Sequence, residues 1–126
     1  MLPQRHRLTN PAHYRAVMRG GDGRRRQRAG TDLLVVHAAL DDDSALTRPP
    51  RVGFVVSKSV GNSVVRHRVV RRLRALVAGR LEGMANGCDF VVRAQPAAAT
   101  STSDQLGEAL DRALRRIARS CSAGVR

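Results

Sequence analysis

The chain has 126 residues, enough for one domain with one modest core. Its 23 Lys and Arg outnumber 10 Asp and Glu, and the formal charge of +13 opposes compaction by self-repulsion unless a polyanion neutralises it, nucleic acid first and anionic membrane second. No apolar run approaches the ~20 residues of a membrane span, the start Met1-Leu2-Pro3-Gln4-Arg5-His6-Arg7 lacks a signal peptide's apolar stretch, and Cys88 and Cys121 stand in no zinc-binding spacing. The expectation is a cytoplasmic protein with reduced thiols, no membrane partner and no metal site of its own.

Asn10-Pro11 reads as an N-cap followed by proline at the first helical position, opening a helix to about Arg19 that Gly20 and Gly21 end. Arg24 to Arg28 is a basic segment with the character of an edge strand. Leu33-Leu34-Val35-Val36 reads as a buried strand, Val52-Gly53-Phe54-Val55-Val56 as a second central strand and Asp89-Phe90-Val91-Val92 as a third. Asp41-Asp42-Asp43 to Pro49-Pro50 is a polar loop, and its three carboxylates read as a solvated turn rather than a metal site. Pro96 closes the third strand, Ala97 to Ser101 reads as a linker, and Thr102 with Gln105 forms a capping box. The last helix carries Leu106, Leu110, Ala113, Leu114 and Ile117 at three-and-four spacing, with Arg112, Arg115, Arg116 and Arg119 on its remaining surface. Residues 1–8 and 120–126 are expected to be flexible ends of a single domain spanning 1–126. This order implies an α+β sandwich, a small sheet with helices packed on it, in which the strands around 54 and 91 run parallel. General rules make that crossover right-handed.

The connection between those two strands is the most informative stretch. Lys58 to Arg80 holds seven basic residues and no acid, and Lys58 is the only lysine of the chain. A helix is expected from about Asn62 to Leu81, with Asn62 as its cap and Gly61 supplying a turn closed to other residues. On a helical wheel, Val65, Val69, Leu73, Leu76 and Val77 form an apolar seam, Arg68, Arg71 and Arg72 lie opposite, and Arg74 lies at the flank. A merely solvated face mixes signs in i,i+4 pairs; guanidiniums alone on one face repel each other until phosphates intervene. Arg66 falls beside the seam instead: it caps a buried group, or the helix begins later, or it lines a separate pocket at the sheet edge.

The run Lys58-Ser59-Val60-Gly61-Asn62-Ser63-Val64-Val65-Arg66-His67-Arg68-Val69-Val70-Arg71-Arg72-Leu73-Arg74 closely resembles the Arg-rich helix of the bacterial ribonuclease P protein family, K-x-x-G-N-A-V-x-R-N-R-x-K-R-x-x-R. Leu2-Pro3 with Arg7-Leu8 and His13 to Val17, then Arg51 to Lys58, then Gly87 to Ala94 resemble the flanking elements in the same order. The resemblance implies an α/β sandwich with about three helices and a mostly antiparallel four-stranded sheet, its βαβ crossover left-handed, against the general rule. It implies that Lys58, Asn62, Arg66, Arg68, Arg71, Arg72 and Arg74 face RNA. It further implies a cleft for the single-stranded 5′ leader of precursor tRNA, with Tyr14, Met18 and His37 at cleft positions. One protein would join one catalytic RNA and bind precursor tRNA. The RNA would perform the cleavage with its own Mg²⁺, so the protein contributes no catalytic residue, binds no cofactor alone, and is inactive and monomeric alone. His67 stands where the family has Asn, Val70 where it has Lys, Ser59 replaces a second Lys, and Met18 replaces an aromatic. Of the chain's three aromatics, Phe54 and Phe90 read as core packing, which leaves Tyr14 to stack a base.

Other readings remain distinguishable. A stand-alone RNA-binding module would bind RNA without preferring precursor tRNA. A helix-turn-helix regulator is disfavoured, because strands rather than a second helix flank the basic helix. A protein nuclease needs an acid/base pair or a carboxylate metal site, and His6, His13, His37 and His67 are scattered without one.

Overall fold

In the computed structural model, which describes residues 2–20, 23–40 and 48–124 (the side chains as far as residue 119), the elements run α1 (Pro11–Arg19), β1 (Arg25–Gly30), β2 (Leu34–Leu40), β3 (Arg51–Val55), α2 (Ser63–Ala78), β4 (Asp89–Ala94) and α3 (Ser103–Gly124). Short 3₁₀ turns stand at Gln4–His6, Leu81–Gly83 and Pro96–Thr100. The acidic loop at Asp41, Asp42 and Asp43 lies outside the described residues.

The strand order is β1-β2-β4-β3, with β1/β2 and β2/β4 antiparallel and β3/β4 parallel. The parallel pair, Gly53 opposite Val91 and Phe54 opposite Val92, is joined through α2 as expected. The second strand of the sequence reading is not central, however. β4 inserts between β2 and β3, and β3 becomes an edge. Its outer polar groups are met by chain from the N-terminus: Leu8 N–H donates to the Val52 carbonyl at 3.0 Å, and the Phe54 N–H donates to the Tyr14 hydroxyl at 3.1 Å.

Strand alternation divides the core between two faces. Val36, Ala38 and Leu40 of β2 and Phe90, Val92 and Ala94 of β4 point to one face, where Val69, Leu73 and Val77 of α2 and Leu106, Leu110, Ala113 and Ile117 of α3 cover them. Ala39 and Val91 point to the other, under Leu8 and Val17, with Tyr14, Met18 and Val55 packed around them. Among the described residues, this second face is covered only by α1, the first residues and their neighbours.

Caps fix the helix starts as the sequence indicates. The Asn10 side chain accepts from Ala12 N–H, the Asn62 side chain from Val65 N–H, and Thr102 and Gln105 exchange both bonds of a capping box at 2.8 and 3.1 Å. Helix α2 stops at Ala78 rather than Leu81, because Arg80 folds back to donate to the Leu76 carbonyl and to Asp111. Gly61 does not occupy the left-handed region; its value is steric, since a Cβ there would press within 2.8 Å of the Val65 side chain. Residues 97–101 are not a plain linker but close a 3₁₀ turn that buries Ala98. The chain start, expected to be a flexible end, is packed: Leu2 and Leu8 are buried, and the His6 Nδ1 bonds the Pro50 carbonyl. The apolar Leu2 and Leu8 have a bare edge to cover at β3, and burying such side chains contributes roughly 1.5–3 kcal/mol each.

Asp89 ties the basic segments together. Its side chain is fully buried and receives two bonds from Arg51 (2.8 and 2.9 Å), one from Arg24 (3.0 Å) and one from Arg48 (3.1 Å). Burial pushes its pKa up, but the hydrogen bonds of Arg51 and Arg24 and the charges of Arg51 and Arg48 outweigh this and hold it below the ordinary 3.8. A depressed carboxyl stabilises the fold fully above its unfolded pKa and loses that contribution as pH falls through the folded one. Asp89→Asn, which leaves three guanidiniums around a neutral amide, is expected to cost about 3 kcal/mol at pH 7. It should also flatten the loss of stability between roughly pH 5 and 2, as read from urea midpoints.

Candidate nucleic-acid interface

Helix α2 presents the arginines predicted for it, in two settings. Arg71 and Arg74 are exposed, as are Lys58, Asn62 and His67. Arg68 and Arg72 are half-buried, leaning on the turn before α3, where they donate to the carbonyls of Ala99 (3.5 Å) and Ser101 (3.2 Å). Their charge is not neutralised by these bonds. No ion pair among the described residues involves Arg66, Arg68, Arg71, Arg72 or Arg74. Arg80, the seventh basic residue of the run, differs: its guanidinium meets the Asp111 carboxylate of α3 at 2.6 Å. That hydrogen bond lowers the Asp111 pKa, with burial opposing it and the charges of Arg80 and Arg115 assisting it. Val64, 72% exposed, joins His67, Arg68, Val70, Arg71 and Arg74 along this flank, a shallow surface of about 740 Å³.

Arg66 resolves two of its alternatives. The helix does begin at Ser63, because Asn62 caps it and the Arg66 N–H donates to the Asn62 carbonyl at 2.9 Å. The Arg66 side chain is half-buried, its Nε enclosed without a hydrogen-bond partner, so it does not cap a buried group through that atom.

On the opposite face of the sheet, α1 runs from the β3 edge toward the β1 edge. Its Tyr14 hydroxyl accepts from β3, and its Met18 carbonyl accepts from Arg26 of β1 at 3.1 Å. The tyrosine ring lies against Gly53, where any Cβ would collide with it. At the β1 end, Val17, Met18 and Arg19 of α1 and Arg26, Gln27, Arg28, His37 and Arg93 of the sheet enclose a groove of about 610 Å³. Met18 and His37 therefore share one groove, while Tyr14 opens onto another at the β3 end. His37 stands opposite Arg28 across the β1/β2 ladder, and Arg93 stands one pleat away on β4. His37 Nε2 and Arg93 Nε are both enclosed and lack hydrogen-bond partners. Burial, then the charges of Arg93, Arg28 and Arg26, lower the His37 pKa.

Arg19, Arg26, Arg28 and Arg93 were not singled out from sequence. The alternation of Arg26 and Arg28 in an edge strand, and the break that Arg93 makes in the apolar β4 run, were the available signals. What joins Arg26, Arg28 and Arg93 is the pairing of β2 with both β1, its neighbour in sequence, and β4, whose partner residues lie 50 to 60 positions away.

A family model described as ribonuclease P matches residues 2–118. Proteins called ribonuclease P protein component from Kocuria rhizophila and from a Mycobacterium species are similar, the first 42% identical over 122 residues (97% of this chain, all of the relative) and the second 46% over 118 (92% of each). Among solved structures, the RNase P protein of Staphylococcus aureus superposes with a TM-score of 0.73 at 20% identity, over 89% of this chain and 94% of that one. The Thermotoga maritima RNase P protein gives 0.70 at 18% identity, over 87% and 96%. These structures share the α+β fold.

For binding to a structured RNA, Arg71→Ala with Arg74→Ala should reduce the slope of log affinity against log salt by about two, near one per lost phosphate contact. Arg80→Ala, whose charge Asp111 already answers, should leave the slope unchanged in the same filter-binding titrations.

Proposed function

This chain belongs to the ribonuclease P protein family, and from that premise we propose that it joins a catalytic RNA and assists that RNA in removing the 5′ leader of precursor tRNA. The observation that carries this reading is the α2 surface: five arginines within three turns, none ion-paired among the described residues, on a helix pinned to the sheet by Val69, Leu73 and Val77. A rigid guanidinium face of this kind is complementary to a folded phosphate backbone. Arg66, Arg68, Arg71, Arg72 and Arg74, with Lys58 and Asn62 at the helix entrance, are the residues assigned to it.

The α1 groove takes the single-stranded leader. Arg19, Arg26, Arg28 and Arg93 supply positive charge, Met18 and Val17 supply apolar contact, and the unpartnered Nε2 of His37 and Nε of Arg93 await oxygen or nitrogen acceptors and donors of a nucleotide. Leaving such buried polar atoms unmet costs ~1–3 kcal/mol apiece, so a ligand that meets them gains accordingly. The protein's share of the reaction is positioning and screening of phosphate repulsion, with cleavage and its Mg²⁺ assigned to the RNA. One protein per RNA is the stoichiometry of this reading.

Two measurements test it. Adding the chain to a bacterial ribonuclease P RNA should raise the rate of precursor tRNA cleavage at low Mg²⁺ and favour precursor over mature tRNA in binding; no change in either defeats the proposal. The chain alone should leave precursor tRNA intact. In addition, a phosphate seated between Arg28, His37 and Arg93 opposes the effects that lower the His37 pKa, so leader binding takes up a proton. Leader affinity is then expected to rise as pH falls from 7.5 to about 6, the range across which an unperturbed imidazole takes up its proton, and His37→Gln should remove that dependence.

A further inference from the structure

Helix α3 carries three of the chain's 10 acids, Asp104, Glu108 and Asp111, and after them Arg112, Arg115, Arg116 and Arg119. Its apolar side, from Leu106 to Ile117, is buried on the sheet. On the outward side, Asp104, Glu108, Asp111, Arg112, Arg115 and Arg119 fall within about 100° of one another at the helical period. Arg116 lies outside this stripe and donates to the Gly30 carbonyl at 2.9 Å. Two ordinary effects do not account for the stripe. The helix macrodipole favours acids at a helix start and bases at its end, but it acts over the terminal turns, and Glu108, Asp111, Arg112 and Arg115 stand in the interior of Ser103–Gly124. Pairing from i to i+4 would join Glu108 to Arg112 and Asp111 to Arg115. Among the described residues neither pair is formed: Asp111 is held by Arg80 of α2, and the other five members of the stripe, all exposed, have no ion pair.

We propose that this stripe is an interface between two copies of the chain, packed antiparallel through α3 about a two-fold axis. In an antiparallel pair of identical helices, residues that face each other share one sum of position numbers. Asp104 with Arg119, Glu108 with Arg115 and Asp111 with Arg112 all share the same sum. A single register therefore sets every acid of the stripe opposite an arginine of the other copy, with the axis between Asp111 and Arg112, and the symmetry forms each pair twice. An exposed ion pair contributes little by itself, whereas a connected network on a fixed helix contributes more. Asp111 can join it without leaving Arg80, because its side chain remains 42% exposed. The stripe differs in kind from α2, which carries no acid. Carboxylates among the arginines repel a phosphate backbone and attract a surface bearing the same pattern reversed, which the two-fold axis supplies. The contact joins charged rather than apolar surface, so the association is weak and salt-dependent. This inference does not depend on the reading of α2; it departs from the expectation of a monomer and keeps one protein per RNA in each half of the pair.

The test is sedimentation velocity of the full chain up to millimolar concentration, in about 0.15 M salt, where repulsion between exposed charges more than about 8 Å apart is largely screened. Wild type should shift from monomer toward dimer as concentration rises. Arg115→Glu and Glu108→Arg each set like charges across the axis, and each alone should abolish the shift. An equimolar mixture of the two should restore it, because each reversed side chain then faces its opposite. Should either variant unfold, Arg119→Glu and Asp104→Arg, the outermost pair, give the same test. A wild type that stays monomeric, an association that both single variants keep, or a mixture that fails to restore it overturns the proposal. If Arg115→Glu instead weakens RNA binding as strongly as Arg71→Ala and the chain does not self-associate, the stripe is a second RNA surface and the proposal falls.

Discussion

Scarcity of carboxylates is the constraint on which this molecule is organised. With 10 acids against 23 bases, most guanidiniums cannot be answered within the chain, so the placement of each acid decides where positive charge is left over. Asp89 sits fully buried and gathers Arg24, Arg48 and Arg51 at one end of the sheet, and Asp111 takes Arg80 at the junction of α2 and α3. Both therefore serve structure, and neither reaches the exposed flank of α2. That flank is left with charge and no ion-pair partner among the described residues, a state that is costly alone and that a polyanion would relieve.

The second organising feature is the uneven cover of the sheet. One face is closed by α2 and α3 over a continuous aliphatic layer, which holds α2 rigidly on the sheet. The other is crossed by a nine-residue helix that cannot cover it. Each end of α1 therefore borders a groove, one floored by Arg28, His37 and Arg93, the other walled by Tyr14 and Phe54. The short helix is held at both ends by hydrogen bonds to edge strands, Tyr14 to β3 and Arg26 to Met18, so the same contacts that seat it also separate the two grooves. Charge and an imidazole lie at one end and aromatic side chains at the other, so the two grooves differ in the chemistry they offer.

Much of this was legible in the sequence because it is written in local chemistry. Caps at Asn10, Asn62 and the Thr102/Gln105 box act within four residues, the α2 seam and its arginines follow from the 3.6-residue period, and the Lys58–Arg74 motif needs no fold to be read. Only the tertiary structure decided what depends on pairing at a distance. The insertion of β4 made β3 an edge, and that edge in turn drew Leu2 and Leu8 into the core and Phe54 out to a groove wall. Arg80 was separated from its neighbours by an acid 31 residues away. Arg28, His37 and Arg93 were brought together by ladder register alone. Local signals fix which elements form; the order of strands in a sheet is set by the summed burial of all of them, and no single segment carries that sum.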